Sequence, residues 1–147
     1  MSEPETDADG SPSAVVQEFI GHINGHNAAG LSRLMTDDHL FVDSLGNSVR
    51  GREEMRGAWI AYFYMIPDFT ITIQERFERE NVVALFGSAR GTYSTGGDLL
   101  EHNRWEMPAA WRAVVRNGLV AEWRVYADNE PVRRIMAGET PDQEDRH

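Results

Sequence analysis

The sequence predicts an α+β fold in which three N-terminal helices lie on a curved antiparallel sheet and leave a cone-shaped hollow between the two layers. Three observations carry this expectation. Apolar residues recur at helical spacing up to residue 66. From residue 69 onward the period drops to 2, as in strands with one buried face. Helices segregated in sequence from an antiparallel run of strands define the α+β class. The chain has 147 residues, 41% of them hydrophobic, enough for one domain with one core. The expected domain spans residues 14–136, between disordered acidic tails at 1–13 and 137–147.

Each element has its own warrant. Ser11-Pro12 is a helix start, a capping hydroxyl followed by proline at the first helical position. Val15, Val16, Phe19, Ile20 and Ile23 then share one helix face. The stretch Asn24-Gly25-His26-Asn27 ends that helix, and Asn27 caps a short second one carrying Leu31, Leu34 and Met35. Thr36 to His39 leads into a strand, Leu40-Phe41-Val42, that ends on Asp43. After a glycine turn and Gly51, a third helix carries Met55, Trp59, Tyr62, Phe63 and Ile66, and Pro67 stops it. Phe69, Ile71 and Ile73 alternate with Thr70, Thr72 and Gln74. Residues 75–81 are expected to turn the chain, 82–93 to return as a strand, and 94–98 to form a loop. Residues 104–116 and 119–126 flank Asn117-Gly118, a pair that tolerates positive φ and gives the strongest hairpin signal in the chain. Asp128 caps a last helical turn with Val132, Ile135 and Met136.

Composition excludes several function classes. With no cysteine, disulfides, thiolate nucleophiles and thiolate-bound metals are out of reach. All fourteen basic residues are arginine, so no lysine is present to form a Schiff base. The formal net charge is −10. Most of it lies in the two tails, and no basic stripe is present, which argues against nucleic acid as a partner. No apolar run approaches the roughly 20 residues that cross a bilayer. The acidic N-terminus is unlike a secretion signal, and the expected location is cytoplasmic.

The order and content of these elements resemble the nuclear transport factor 2-like superfamily, a cystatin-like fold, in its SnoaL-like and ketosteroid-isomerase-like branch. Three passages carry the resemblance: VVQEFIGHINGHNAAGLSRLMTDDHLFVD from Val15, GREEMRGAWIAYF from Gly51, and VVRNGLVAEWRVYADNEPV from Val114. The resemblance implies a cone-shaped α+β barrel, a homodimer formed through the outer sheet face, and a small apolar ligand inside the cone. It implies no cofactor.

It also places chemistry. Ketosteroid isomerases carry their general base after the first strand, at the position of Asp43. A carboxylate at the mouth of an apolar cone suits moving a proton off a carbon beside a carbonyl. The competing reading is an Asp that bonds the N–H groups of its own turn. The partner groups of related enzymes have no counterpart in this chain. Phe19 stands where the isomerase tyrosine falls and Ala110 where its second acid falls. Gly87, Ala89 and Val125 occupy the places of the epoxide-hydrolase triad, and Trp111 that of the cyclase histidine.

If Val125 faces the cone, strand alternation brings Trp123 and Ala127 with it. Trp105, Met107, Ala109, Trp111 and Ala113 follow on the neighbouring strand, and Val83, Leu85, Gly87, Ala89, Gly91 and Tyr93 on the next. The expected ligand wall is Phe19, Trp59, Tyr62, Phe63, Tyr93, Trp105, Trp111, Trp123 and Val125, with small residues leaving room for the ligand. The alternative is that these aromatics simply fill a core. His102 is the expected second catalytic group, with Tyr62 and Tyr93 as further candidates to polarise a substrate oxygen. His22 and His26, four residues apart, have no accompanying carboxylate motif, and no metal is expected. Two functions follow: an acid/base isomerase, cyclase or lyase acting on an apolar carbonyl compound, or a module that binds a small ligand or a partner without turnover.

Overall fold

In the computed structural model, residues 11–94, 99–128 and 130–138 are described. Helix α1 (Pro12–Asn24) starts where the Ser11 side chain accepts from the Ala14 amide. It buries Val15, Val16, Phe19 and Ile23. Helix α2 (Ala28–Arg33) is capped by Asn27, whose side chain accepts from the Gly30 amide. Strand β1 (Met35–Val42) and a short β2 (Ser48–Arg50) lead into helix α3 (Arg52–Met65), which presents Met55 and Trp59 to the core. Strands β3 (Thr70–Arg79), β4 (Val82–Thr92), β5 (Arg104–Arg116) and β6 (Leu119–Ala127) complete the sheet. A single 3₁₀ turn, Glu101–Asn103, precedes β5, and helix α4 (Glu130–Met136) follows β6.

The six strands lie in the order β2-β1-β6-β5-β4-β3. All neighbours pair antiparallel except β1 and β6, which run parallel. The sheet is therefore mixed and open, with β2 and β3 as its edges, whereas the sequence predicts an antiparallel one. Residues aligned across it form interior rows: Val49, Phe41, Trp123, Ala113 and Val83 in one, and Val125, Trp111 and Leu85 in the next. The β5–β6 hairpin turns at Asn117 (φ 54°) and Gly118 (φ 77°), the two left-handed residues its sequence demands.

Two expectations about the elements are corrected. Residues 75–79 continue β3, and the chain turns only at Glu80 and Asn81, between the ends of β3 and β4. Strand β1 begins at Met35, a residue expected on the second helix, and takes in the whole Thr36–His39 lead-in. The first helix starts at Pro12 after its Ser11 cap, as the sequence leads one to expect. The rest of the two tails, residues 1–10 and 139–147, lies outside the described residues, as does the loop at 95–98. Ala137 and Gly138 form a turn closing α4.

Candidate functional site

Between α3 and the inner face of the sheet lies a cavity of about 320 Å³. Its floor and walls come from β5 (Trp105, Met107, Ala109, Trp111), β6 (Trp123, Val125, Ala127) and α3 (Met55, Ala58, Trp59, Tyr62). Alternation explains the set: the odd-numbered residues from Trp105 to Trp111 on β5 and from Trp123 to Ala127 on β6 face inward, and positions 55, 58, 59 and 62 share one face of α3. Phe41, Phe69, Ile71, Ala89 and Ile23 complete the apolar lining, and Asp43, Ser44 and Val49 form a more exposed rim.

Six residues expected to wall the cone do so: Trp59, Tyr62, Trp105, Trp111, Trp123 and Val125. Three others are placed elsewhere. Phe19 is fully buried behind Trp123, ring centroids 5.0 Å apart. Phe63 stacks on His26 (4.6 Å) and on Trp59 (5.3 Å), away from the lining. Tyr93 follows β4, where its carbonyl accepts from the Asn103 side chain. His102 is exposed on the 3₁₀ turn and is absent from the cavity wall.

The small residues of β4 serve packing as well as room. A Cβ at Gly87 would overlap the Thr72 carbonyl, and one at Gly91 would overlap the Ile66 side chain. Gly87 therefore admits the neighbouring β3 backbone and Gly91 admits the end of α3. Of the six inward positions expected on β4 and just after it, only Ala89 touches the cavity.

Asp43 lies on the rim, and its turn holds it. Its Oδ1 accepts from the amides of Leu45 (2.9 Å) and Asn47 (2.9 Å), and its Oδ2 from the Asn47 side-chain amide (3.3 Å). A carboxylate offers about four lone-pair sites, so these three bonds leave capacity on Oδ2.

The expected wall leaves out Phe41, and several other groups gain detail from the structure. Phe41 stands two residues before Asp43, so simple alternation from Asp43 places it on the same face. Tyr62 has its phenol pKa pushed up to about 12 by burial, which keeps its O–H protonated through the physiological range. The indole N–H groups of Trp59 and Trp105 are buried and have no hydrogen-bond partner. His39, expected merely to open a strand, is fully buried within β1. Its Nδ1 donates to the Val120 carbonyl at 2.7 Å, because a carbonyl can only accept. Burial drives its pKa below the ordinary value, against opposing effects of that bond and of Asp38 and Glu122.

Among the described residues, His22 and His26 are not brought together as metal ligands. The helix ends before His26, whose ring turns away to bond the Phe69 carbonyl at 2.8 Å. Among the described residues no group of three or more His, Cys, Asp or Glu could hold a metal ion. No helix among them is long and apolar enough to cross a membrane.

Helices laid on one face of a curved sheet around an apolar pocket define a nuclear transport factor 2-like protein. Residues 16–123 match the model of the SnoaL-like domain, and the chain belongs to that family. Solved structures agree in fold. A "Putative SnoaL-like polyketide cyclase" from Shewanella denitrificans superposes with a TM-score of 0.75 at 12% identity, covering 87% of this chain and 98% of that one. A protein of ketosteroid isomerase-like fold from Catenulispora acidiphila, solved in complex with trimethylamine, gives 0.71 at 19% identity, covering 87% and 95%. AclR, "a putative hydroxylase" from Streptomyces galilaeus, gives 0.70 at 18%, covering 91% and 85%. Comparison with curated proteins finds no match.

Proposed function

We propose that this protein binds a small apolar, carbonyl-bearing molecule in its cone and that Asp43 moves a proton on it, as an isomerase, cyclase or lyase without a cofactor. The observation that carries the proposal is an aromatic cavity of about 320 Å³ with a single carboxylate, Asp43, among its lining residues. Pockets of this size and character suit small apolar ligands with few polar contacts. The turn fixes Asp43 through Oδ1 and leaves Oδ2 able to accept a proton. His102, on the surface, has no part in this chemistry.

The test is proton exchange at carbon. With an apolar ketone such as 2-decalone in D₂O, the protein should speed deuterium incorporation beside the carbonyl. Asp43→Asn should lose this activity by about 10²–10⁴-fold, the usual contribution of a general base. Equal exchange by wild type and the Asn variant would remove Asp43 from the reaction.

A second reading has its own support. All three side-chain hydrogen bonds of Asp43 serve its own turn. A carboxylate whose role is to close that turn fits a module that holds the ligand without turning it over. Binding of 2-decalone with no catalysed exchange selects this reading.

The same protein is proposed to pair with a second copy through the outer sheet face. Phe77, Phe86 and Tyr126 are exposed there, and the first two rings pack edge to face.

A further inference from the structure

We infer that Tyr62 is the group that receives the ligand's oxygen: its phenol donates to a neutral carbonyl and steadies the charge that gathers there when Asp43 takes a proton from the adjacent carbon. The inference rests on the reading of the cone as a ligand site with Asp43 as base, and deepens it by naming the residue that polarises the substrate.

Tyr62 lies on the cavity-facing stripe of α3, after Met55, Ala58 and Trp59. Two neighbours on the same wall fix its ring edge to face: Trp59 at 6.1 Å and 89°, Phe69 at 4.9 Å and 87°. Its hydroxyl bonds to no described residue. It is nevertheless not a sealed atom, unlike the indole nitrogens of Trp59 and Trp105. Protein surrounds this oxygen closely enough to raise its pKa to about 12, and still leaves it open surface. The space such an oxygen sees is the cavity its residue lines. A desolvated donor without a partner costs free energy, and a ligand acceptor recovers it.

The chemistry also selects the phenol. Once Asp43 is ionised, the Tyr62 O–H is the most acidic donor among the lining side chains, and burial keeps the proton on it. No arginine lines the cavity, so an anionic ligand would meet no countercharge, whereas a ketone oxygen asks only for a donor. In the step itself, Asp43 Oδ2 takes the proton from the carbon beside the carbonyl. The C–H pair becomes the C=C bond, and the C=O π pair moves to oxygen. Tyr62 keeps its proton and hydrogen-bonds the enolate, where a placed donor counts most because charge develops there. Asp43 exchanges its proton with solvent and returns one to carbon. This tyrosine stands on the third helix, not at the first-helix place that Phe19 occupies.

The experiment compares wild type with Tyr62→Phe, which keeps the ring and removes the hydroxyl. Two readouts are taken with 2-decalone: exchange in D₂O, and the infrared C=O stretch of the bound ketone with its carbonyl labelled with ¹³C. Exchange by the variant should fall about 10²–10³-fold in kcat, the usual loss on removing one oxyanion donor. KM should rise by about tenfold at most, the scale of one neutral hydrogen bond. The bound C=O stretch should lie lower in wild type than in decalin solution, and return towards the decalin value in the variant. Decalin affinity, measured by equilibrium dialysis, should be the same in both proteins and reports any change of shape. Should Tyr62→Phe fail to fold, wild type labelled with [ζ-¹³C]tyrosine decides. One of its four tyrosine resonances should move with 2-decalone and not with decalin; none moving overturns the inference. Equal exchange by the two proteins, or the same bound C=O stretch in both, also overturns it and leaves the cavity and Asp43 in place. If wild type binds 2-decalone without exchange, Asp43 loses its role and the infrared comparison alone upholds or removes Tyr62 as the oxygen's partner. Failure of both 2-decalone and decalin to bind wild type overturns the reading of the cavity and this inference with it.

Discussion

At Asp43, geometry makes two roles for one carboxylate separable. Asparagine retains an Oδ1 that can accept from Leu45 and Asn47, so Asp43→Asn preserves the turn and removes the charge. Its melting temperature should stay close to wild type while proton exchange at carbon collapses. Asp43→Ala should lose both, with about 1 kcal/mol of stability going with the turn bonds. His39 supplies a different test. Its folded pKa lies below the unfolded value of about 6.5, so between those values the unfolded chain binds the extra proton. Stability should therefore be fully present above about pH 6.5 and fall as the pH drops. His39→Phe should flatten that slope in urea titrations run at pH 5 and pH 7; an unchanged slope would assign the acid sensitivity to other groups. Tyr62 has the opposite sign. A phenol raised to about 12 contributes stability present below its unfolded pKa of about 10 and lost as the pH rises through 12. Difference absorbance of the phenolate should show a step at about pH 12, and Tyr62→Phe should remove it.

At the scale of the elements, close packing of strands and helices governs what changes are tolerated. Gly87 faces the Thr72 carbonyl, beside the bulge in β3 between Ile73 and Glu75. Gly87→Ala should cost about 1–3 kcal/mol in chemical denaturation, the range for overpacking a filled site. A neutral result would mean that β3 can shift away. The same edge explains what the sequence concealed. Residues 74–79 are exposed on both faces, so the period of 2 that marks a half-buried strand is missing there, and charged residues mimic a turn. Strand β2 is exposed at all three positions and equally silent. By contrast, the hairpin at Asn117-Gly118, the caps at Ser11 and Asn27, and the inward rows of β5 and β6 were legible because local chemistry or strict alternation dictates them. The pairing of β1 with β6 is a long-range choice, and no local pattern announces a parallel neighbour. In the site, Trp105, Trp111, Trp123 and Val125 were readable from alternation. Phe63 and Phe19 were misplaced because helical periodicity marks a buried stripe without telling which members meet the cavity and which meet another helix. His102 was expected near the cone's mouth from its place after the Gly-Gly loop, and nothing local fixes its side of the sheet.

Across the whole molecule, two surfaces of the same sheet carry different proposals. On the outer face, Phe86, Ala110 and Tyr126 align across three strands, with Phe77 beside Phe86. Exposed aromatics on a sheet face are a hallmark of surfaces that pair. Light scattering should give twice the chain mass at micromolar concentration, and Phe86→Glu should shift it to the monomer; a monomeric wild type would contradict the dimer. On the inner face, the cone is proposed to be a ligand site, and Ala109 offers the most direct way to close it. It lines the cavity between Gly87 and Ala127, where a larger side chain has the void to occupy. The deciding measurement is 2-decalone binding to Ala109→Phe, with the fold checked by the tryptophan fluorescence spectrum and by cooperative unfolding. The account predicts a folded protein whose affinity has fallen by at least about tenfold. A folded variant that binds as tightly as wild type would place the ligand outside the cone and contradict the account at its centre.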